Sequence, residues 1–76
     1  MIGHIVEIAD DRRHLSVRRG FMVVHDTEGE RRLLGQVPLD DIAAVIANAY
    51  GITYTGNLLV ALAERGVPFV LCAANH

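Results

Sequence analysis

The sequence predicts an α+β fold: a β-rich domain of two antiparallel hairpins followed by a β-α-β unit with one main helix at about residues 55–65. Three observations predict it. Residues 2–37 are β-branched and apolar runs punctuated by Asp, Arg and Gly turns, as strands are. Residues 55–65 carry a helical stripe with start and stop signals. Residues 67–72 form an apolar run directly after a glycine turn, the pattern of a helix returning to a buried strand.

Taken in order, Ile2–Ala9 reads as a strand broken only by His4 and Glu7, and Asp10-Asp11-Arg12-Arg13 as a turn. His14–Arg18 alternates, with Leu15 and Val17 on one side and Ser16 and Arg18 on the other. These two strands are expected to pair as a hairpin with a charged tip. Gly20 permits a bend, Phe21–His25 is a third strand, and Asp26-Thr27-Glu28-Gly29 is a turn with glycine where positive φ is needed. Glu30–Val37 is the fourth strand and Pro38 ends it.

Asp40–Gly51 fits two descriptions. Ile42, Val45, Ile46 and Ala49 make a helix stripe, with Asp40 as cap and Gly51 as stop. The same residues fit a strand buried on both faces, as in a parallel pair. Thr55 is a good N-cap for the next element, Leu58, Leu59, Leu62 and Ala63 form its apolar stripe, and Arg65 suits the negative end of the helix dipole. Gly66 closes that helix, Pro68 prevents its continuation, and Val67–Cys72 reads as a buried strand.

A chain of 76 residues holds one domain, residues 1–76, and a domain this small buries only about 60% of its unfolded surface. Yet 51% of its residues are hydrophobic, so part of that apolar surface is expected to face a partner. Net charge is −2, from seven arginines, no lysine and nine acids, which gives no strong signal for nucleic acid. The single Cys72 cannot form an internal disulfide and points to a cytoplasmic setting; its apolar neighbours suggest a buried thiol. Residues 42–63 lack formal charge, but Asn48, Gly51, Thr53, Thr55, Gly56 and Asn57 interrupt them, so no membrane span is expected.

The search for chemistry is mostly negative. His4, His14, His25 and His76 have no metal-binding spacing, and Cys72 is remote from them. Asp10/Asp11 and Asp40/Asp41 sit at turn or cap positions, where carboxylates satisfy backbone amides. Gly51 and Gly56 match no phosphate-binding spacing, and Ser16 has no glycine elbow. Arg12, Arg13, Arg18 and Arg19 lie close together, and the aromatics Phe21, Tyr50 and Tyr54 could stack on bases or simply fill the core.

The word Gln36-Val37-Pro38-Leu39-Asp40-Asp41-Ile42-Ala43-Ala44-Val45-Ile46 is followed by Gly51-Ile52-Thr53-Tyr54-Thr55. Then comes Leu58-Leu59-Val60-Ala61-Leu62-Ala63-Glu64-Arg65-Gly66-Val67-Pro68-Phe69-Val70-Leu71-Cys72. Together with Leu15-Ser16-Val17 and Gly20-Phe21-Met22-Val23-Val24, these stretches resemble the N-terminal domain of the CRISPR-associated spacer-acquisition integrase, an endonuclease and the catalytic subunit of the adaptation complex, in the style of its type II branch. Position 37 is Val where the motif has Ile.

The resemblance implies a β-rich N-terminal domain joined to a helical catalytic domain that this chain lacks. Metal-dependent chemistry, with Mg or Mn, belongs to that other domain, so no catalytic or metal role falls on this chain, His76 included. It implies a homodimer, a small non-catalytic partner subunit and double-stranded DNA as partners, and it implies that Ile42–Asn48 is a strand. Some family members carry an aromatic wedge at the first hairpin tip. Here the tip is Asp11-Arg12-Arg13-His14, which suits phosphate contact instead. The uncharged loop Gly51-Ile52-Thr53-Tyr54 offers Thr53 and Tyr54 as weaker donors. The DNA-contact candidates are therefore Arg12, Arg13, His14, Thr53 and Tyr54. Two other readings stand beside this one: a free-standing small protein-interaction module without a DNA role, and a small enzyme using Asp40, Asp41 and His25.

Overall fold

A computed structural model describes residues 3–27, 32–48 and 50–73. Seven strands run in chain order: β1 (His4–Ile8), β2 (Arg13–Arg18), β3 (Phe21–Asp26), β4 (Leu33–Pro38), β5 (Ile42–Asn48), β6 (Ile52–Tyr54) and β7 (Phe69–Cys72). A 3-10 turn at Leu39–Asp41 precedes β5, and the single helix α1 spans Gly56–Glu64. The class is the expected β-rich α+β fold. Ile2, Glu28, Gly29, Glu30, Arg31, Ala49 and His76 figure in the sequence-based expectations and lie outside the described residues.

Strand pairing departs from expectation at β1 and at β6. β1 does not form a hairpin with β2; it pairs in parallel with β5, in a three-stranded sheet of order β1-β5-β7. The second sheet has order β4-β3-β2-β6. Local turn chemistry explains the difference. Arg19 and Gly20 have φ of 52° and 81°, and a two-residue turn with both φ positive matches the twist of antiparallel strands. The tight hairpin therefore joins β2 to β3, with Arg18 opposite Phe21. Asp10–Arg12 instead carries the chain from one sheet to the other.

The ambiguous segment resolves as strand β5, at the centre of its sheet. It lies between β1 and β7, but it is not buried on both faces as expected: Val45 and Ala47 are buried, whereas Ala44, Ile46 and Asn48 on the other face are only partly covered. With α1 and β7 it completes the β-α-β unit, and β5 and β7 are parallel, as expected.

One core joins both sheets and the helix. Leu15 and Met22 meet Val45, Leu58 and Leu62, all almost wholly buried. The buried helix stripe is Leu58 and Leu62 with Ala61 beside them; Leu59 is 37% exposed and Ala63 is exposed. The expected stripe was thus displaced by one position, because Leu59 and Ala63 lie round the helix from the line that faces β2. Cys72 is exposed, not buried, because β7 is an edge strand.

Capping at the helix start follows the sequence. The Thr55 hydroxyl accepts from the Leu58 amide at 3.2 Å. Thr55→Ala removes that acceptor and is expected to lower stability by about 1 kcal/mol, read as a shifted urea midpoint with unchanged slope.

Candidate functional site

The arginine turn and the segment before the helix are neighbours across the β2–β6 pair. β6 is a short parallel strand and not a loop: Arg13 lies opposite Ile52, His14 opposite Thr53, and Leu15 opposite Tyr54. Residues 39 positions apart are joined by a 2.6 Å hydrogen bond between His14 Nδ1 and Thr53 Oγ1.

Gly51 fastens the turn to β6. Its carbonyl accepts from the amides of Arg12 and Arg13. Gly51 has φ of 71°, and a Cβ placed there would stand 2.6 Å from Asp11 Cβ. Both the conformation and the close approach require glycine. Arg12 has φ of 58°, a costly conformation for a residue with a side chain. Its carbonyl accepts from the Thr27 amide at 2.9 Å, so backbone bonds on both sides hold it. The result is an exposed Arg12 fixed at the sheet end.

Arg13 is held by its neighbours. Its guanidinium lies 3.3 Å from Asp10 and 4.0 Å from Asp26, and it donates to the Asp11 carbonyl at 3.1 Å. That arrangement staples the turn and partly neutralises the charge. Tyr54 turns toward the interior side of its strand, as Leu15 does, and its ring meets Phe69 edge-on at a centroid distance of 5.1 Å. This contact joins the β6 edge of one sheet to the β7 edge of the other.

Of the five expected residues, Arg12, His14 and Thr53 lie together at one end of the β2–β6 pair, with His14 bonded to Thr53 on one face, while Arg13 and Tyr54 fall on the opposite, Leu15 face, Arg13 beside Val6, Ile8 and Val24. Sequence reasoning missed the contributions of Gly51, as the fastener, and of Asp26, as the second partner of Arg13. Gly51 was visible in the sequence as a helix stop or loop glycine, but its contact with residues 11–13 was not.

Tyr50, 56% exposed, adjoins this glycine. Its amide donates to Asn48 Oδ1 at 3.1 Å. An exposed aromatic thus stands next to the arginine turn.

The other candidate chemistry does not assemble. Asp40 pairs with Arg65 at 3.1 Å on the surface, while His25 sits on β3 opposite His14. Among the described residues, no three His, Cys, Asp or Glu side chains cluster so as to hold a metal.

A cleft of about 470 Å³ opens between β1 and β4 over Val6, Ile8, Val24 and Val37. Its two charged groups, Asp10 and Arg13, answer each other. No helix among the described residues is long and apolar enough to cross a membrane. No protein-family model matches the chain, and no curated protein matches it closely enough to count as a relative.

Proposed function

We propose that this chain is the N-terminal docking and dimerisation domain of a CRISPR adaptation integrase, a cytoplasmic protein that captures prespacer DNA and inserts it into the CRISPR array. The chemistry, with its Mg or Mn, resides in a further catalytic domain. The partners are a second copy, the small non-catalytic subunit and double-stranded DNA.

The observation that carries the DNA part is the exposed Arg12 at one end of the β2–β6 pair, beside the bonded His14 and Thr53. These side chains come from sequence segments far apart, and together they present a cation and hydroxyl or imidazole groups, which bind phosphate oxygens. Arg12 is the main phosphate contact, and Arg13 shapes the turn beneath it.

The test is duplex capture by the full-length protein carrying Arg12→Ala with Arg13→Ala. Each lost phosphate contact removes about 0.9 from the slope of log K against log salt, so the double variant should bind more weakly with a slope flatter by up to about 2. Unchanged capture at both low and moderate salt removes the two arginines from the DNA interface. An open reading frame that stops at His76 removes the larger assignment.

The second reading is a protein-interaction module without a DNA role. It is favoured by the net charge of −2 and by the pairing of Arg13 with Asp10 and Asp26. An open frame continuing into a metal-binding helical domain would exclude it.

A further inference from the structure

A small cationic cavity opens at the β2–β3 turn. It encloses about 260 Å³ and is lined by Arg18, Arg19, Phe21 and Gln36. The strand register builds it. Arg18 lies directly opposite Phe21, and Val23, two residues along β3, lies opposite Gln36. Met22 and Val24 alternate with these residues and face the core, so Arg18, Phe21, Val23 and Gln36 share the face turned away from it. Val23 is only 4% exposed although it stands outside the core cluster. The side chains around it on this face are therefore packed over it, and the half-buried Phe21 is one of them.

Arg19 is the unusual residue of the group. Its φ of 52° falls at the first central position of a two-residue turn, where Asn or Gly takes this conformation at least cost. The Leu39 amide donates to the Gly20 carbonyl at 2.9 Å and fixes the turn. Neither Arg18 nor Arg19 has a hydrogen bond or an ion pair among the described residues. Asp40, on the 3-10 turn that follows Leu39, is held by Arg65, and Asp26 is beside Arg13 at the far end of the hairpin. Two like charges on consecutive residues repel each other until an anion sits between them. A turn that accepts a costly residue and gives it no internal partner presents that side chain to something outside the molecule.

We propose that this cavity binds a purine nucleoside monophosphate. Arg18 and Arg19 take the phosphate, because guanidinium forks match pairs of phosphate oxygens. The Phe21 ring takes the face of the base by stacking. The Gln36 amide offers a donor and an acceptor side by side, the pair that reads the N6 and N7 edge of adenine. The cavity is slightly smaller than the roughly 300–1,000 Å³ of sites for drug-sized ligands, which suits one nucleotide and nothing longer. Free AMP and the 5′-phosphorylated adenine end of a strand present the same chemistry. The cavity lies at the opposite end of the β2–β3 hairpin from Arg12, so it is separate from the DNA contact described above and does not rest on it.

Isothermal titration calorimetry on the purified chain tests the site, with AMP, adenosine and inorganic phosphate as separate probes. AMP should bind with a Kd below about 1 mM. Adenosine and phosphate should each bind at least about 10-fold more weakly, since each lacks half of the contacts. Arg19→Gly should weaken AMP binding at least about 10-fold through the loss of a charge-assisted bond. Glycine takes the positive φ freely, so this variant keeps the turn. Phe21→Leu should weaken binding at least about 5-fold through the loss of stacking. Gln36→Ala should remove the preference for AMP over CMP. Arg32→Ala deletes an exposed arginine before β4 and should change nothing. A short oligodeoxyadenylate separates the two sources: binding tighter than that of AMP and dependent on its 5′ phosphate assigns the site to a strand end, and weaker binding assigns it to the free nucleotide. Absence of binding by both AMP and the phosphorylated oligonucleotide overturns the proposal. Equal affinity for AMP and inorganic phosphate also overturns it, and so does a loss in Arg32→Ala as large as that in Arg19→Gly.

Discussion

Leu58→Ala is expected to lower the unfolding free energy by about 3–5 kcal/mol, the range for a fully buried leucine whose cavity cannot collapse. Leu58 has no exposed surface and lies in the cluster that joins α1 to both sheets. A 76-residue domain has a total stability of roughly 4–11 kcal/mol. The substitution therefore leaves a substantial unfolded fraction at physiological temperature. Urea denaturation should show a much lower midpoint with an unchanged slope. Leu59→Ala is the control: its side chain is 37% exposed, and its loss should cost under about 1 kcal/mol. Equal losses at the two adjacent leucines would contradict the orientation of the helix described above.

Gly51→Ala should be nearly as disruptive, for a different reason, and it reaches the candidate site directly. The left-handed conformation costs alanine about 1–2 kcal/mol, and the added methyl meets Asp11 Cβ at 2.6 Å. Relieving that collision adds about 1–3 kcal/mol, so the expected destabilisation is about 2–4 kcal/mol. Only backbone movement can relieve it, because the obstructing atom is the first carbon of the Asp11 side chain. The turn must move away from β6, and the bonds from the Arg12 and Arg13 amides to the Gly51 carbonyl must lengthen. Amide hydrogen exchange at residues 12 and 13 should accelerate far more than at the core residues of β5. Uniform acceleration along the chain would mean that Gly51 serves global stability alone and does not fasten the turn.

These two substitutions differ in how visible their causes were in the sequence. The helix was legible at both ends: Thr55 marks its start, and Gly66 and Pro68 mark its end. These are local signals, carried by residues within a few positions of one another. The exact facing of the stripe was less legible, since Leu58, Leu59, Leu62 and Ala63 are all apolar and only packing against β2 distinguishes them. The strand at Ile42–Asn48 could not be separated from a helix by periodicity. Ile42–Ala47 is apolar at every position, so no alternation of polar and apolar residues marks the period of two that its burial follows.

The candidate site was partly legible. Arg12, Arg13 and His14 are consecutive, and a charged turn is a conspicuous feature. Their meeting with Thr53 depends on β2 pairing with β6 in parallel, a contact between segments about 39 residues apart. No turn or cap encodes such a contact. The neutralisation of Arg13 by Asp26 is hidden for the same reason, because it follows from the β2–β3 register.

The sequence by itself determined the class of the fold, the approximate place of nearly every element, the cap and stop of the helix, and the excess of apolar surface. Each of these rests on local periodicity or on backbone preferences of single residues. Tertiary structure alone decided which strands pair, that β1 joins β5 and not β2, and that the arginine turn sits against β6. Those outcomes depend on long-range register. They are fixed by the simultaneous burial of Leu15, Met22, Val45, Leu58 and Leu62 in one core, a condition no short stretch of sequence can express.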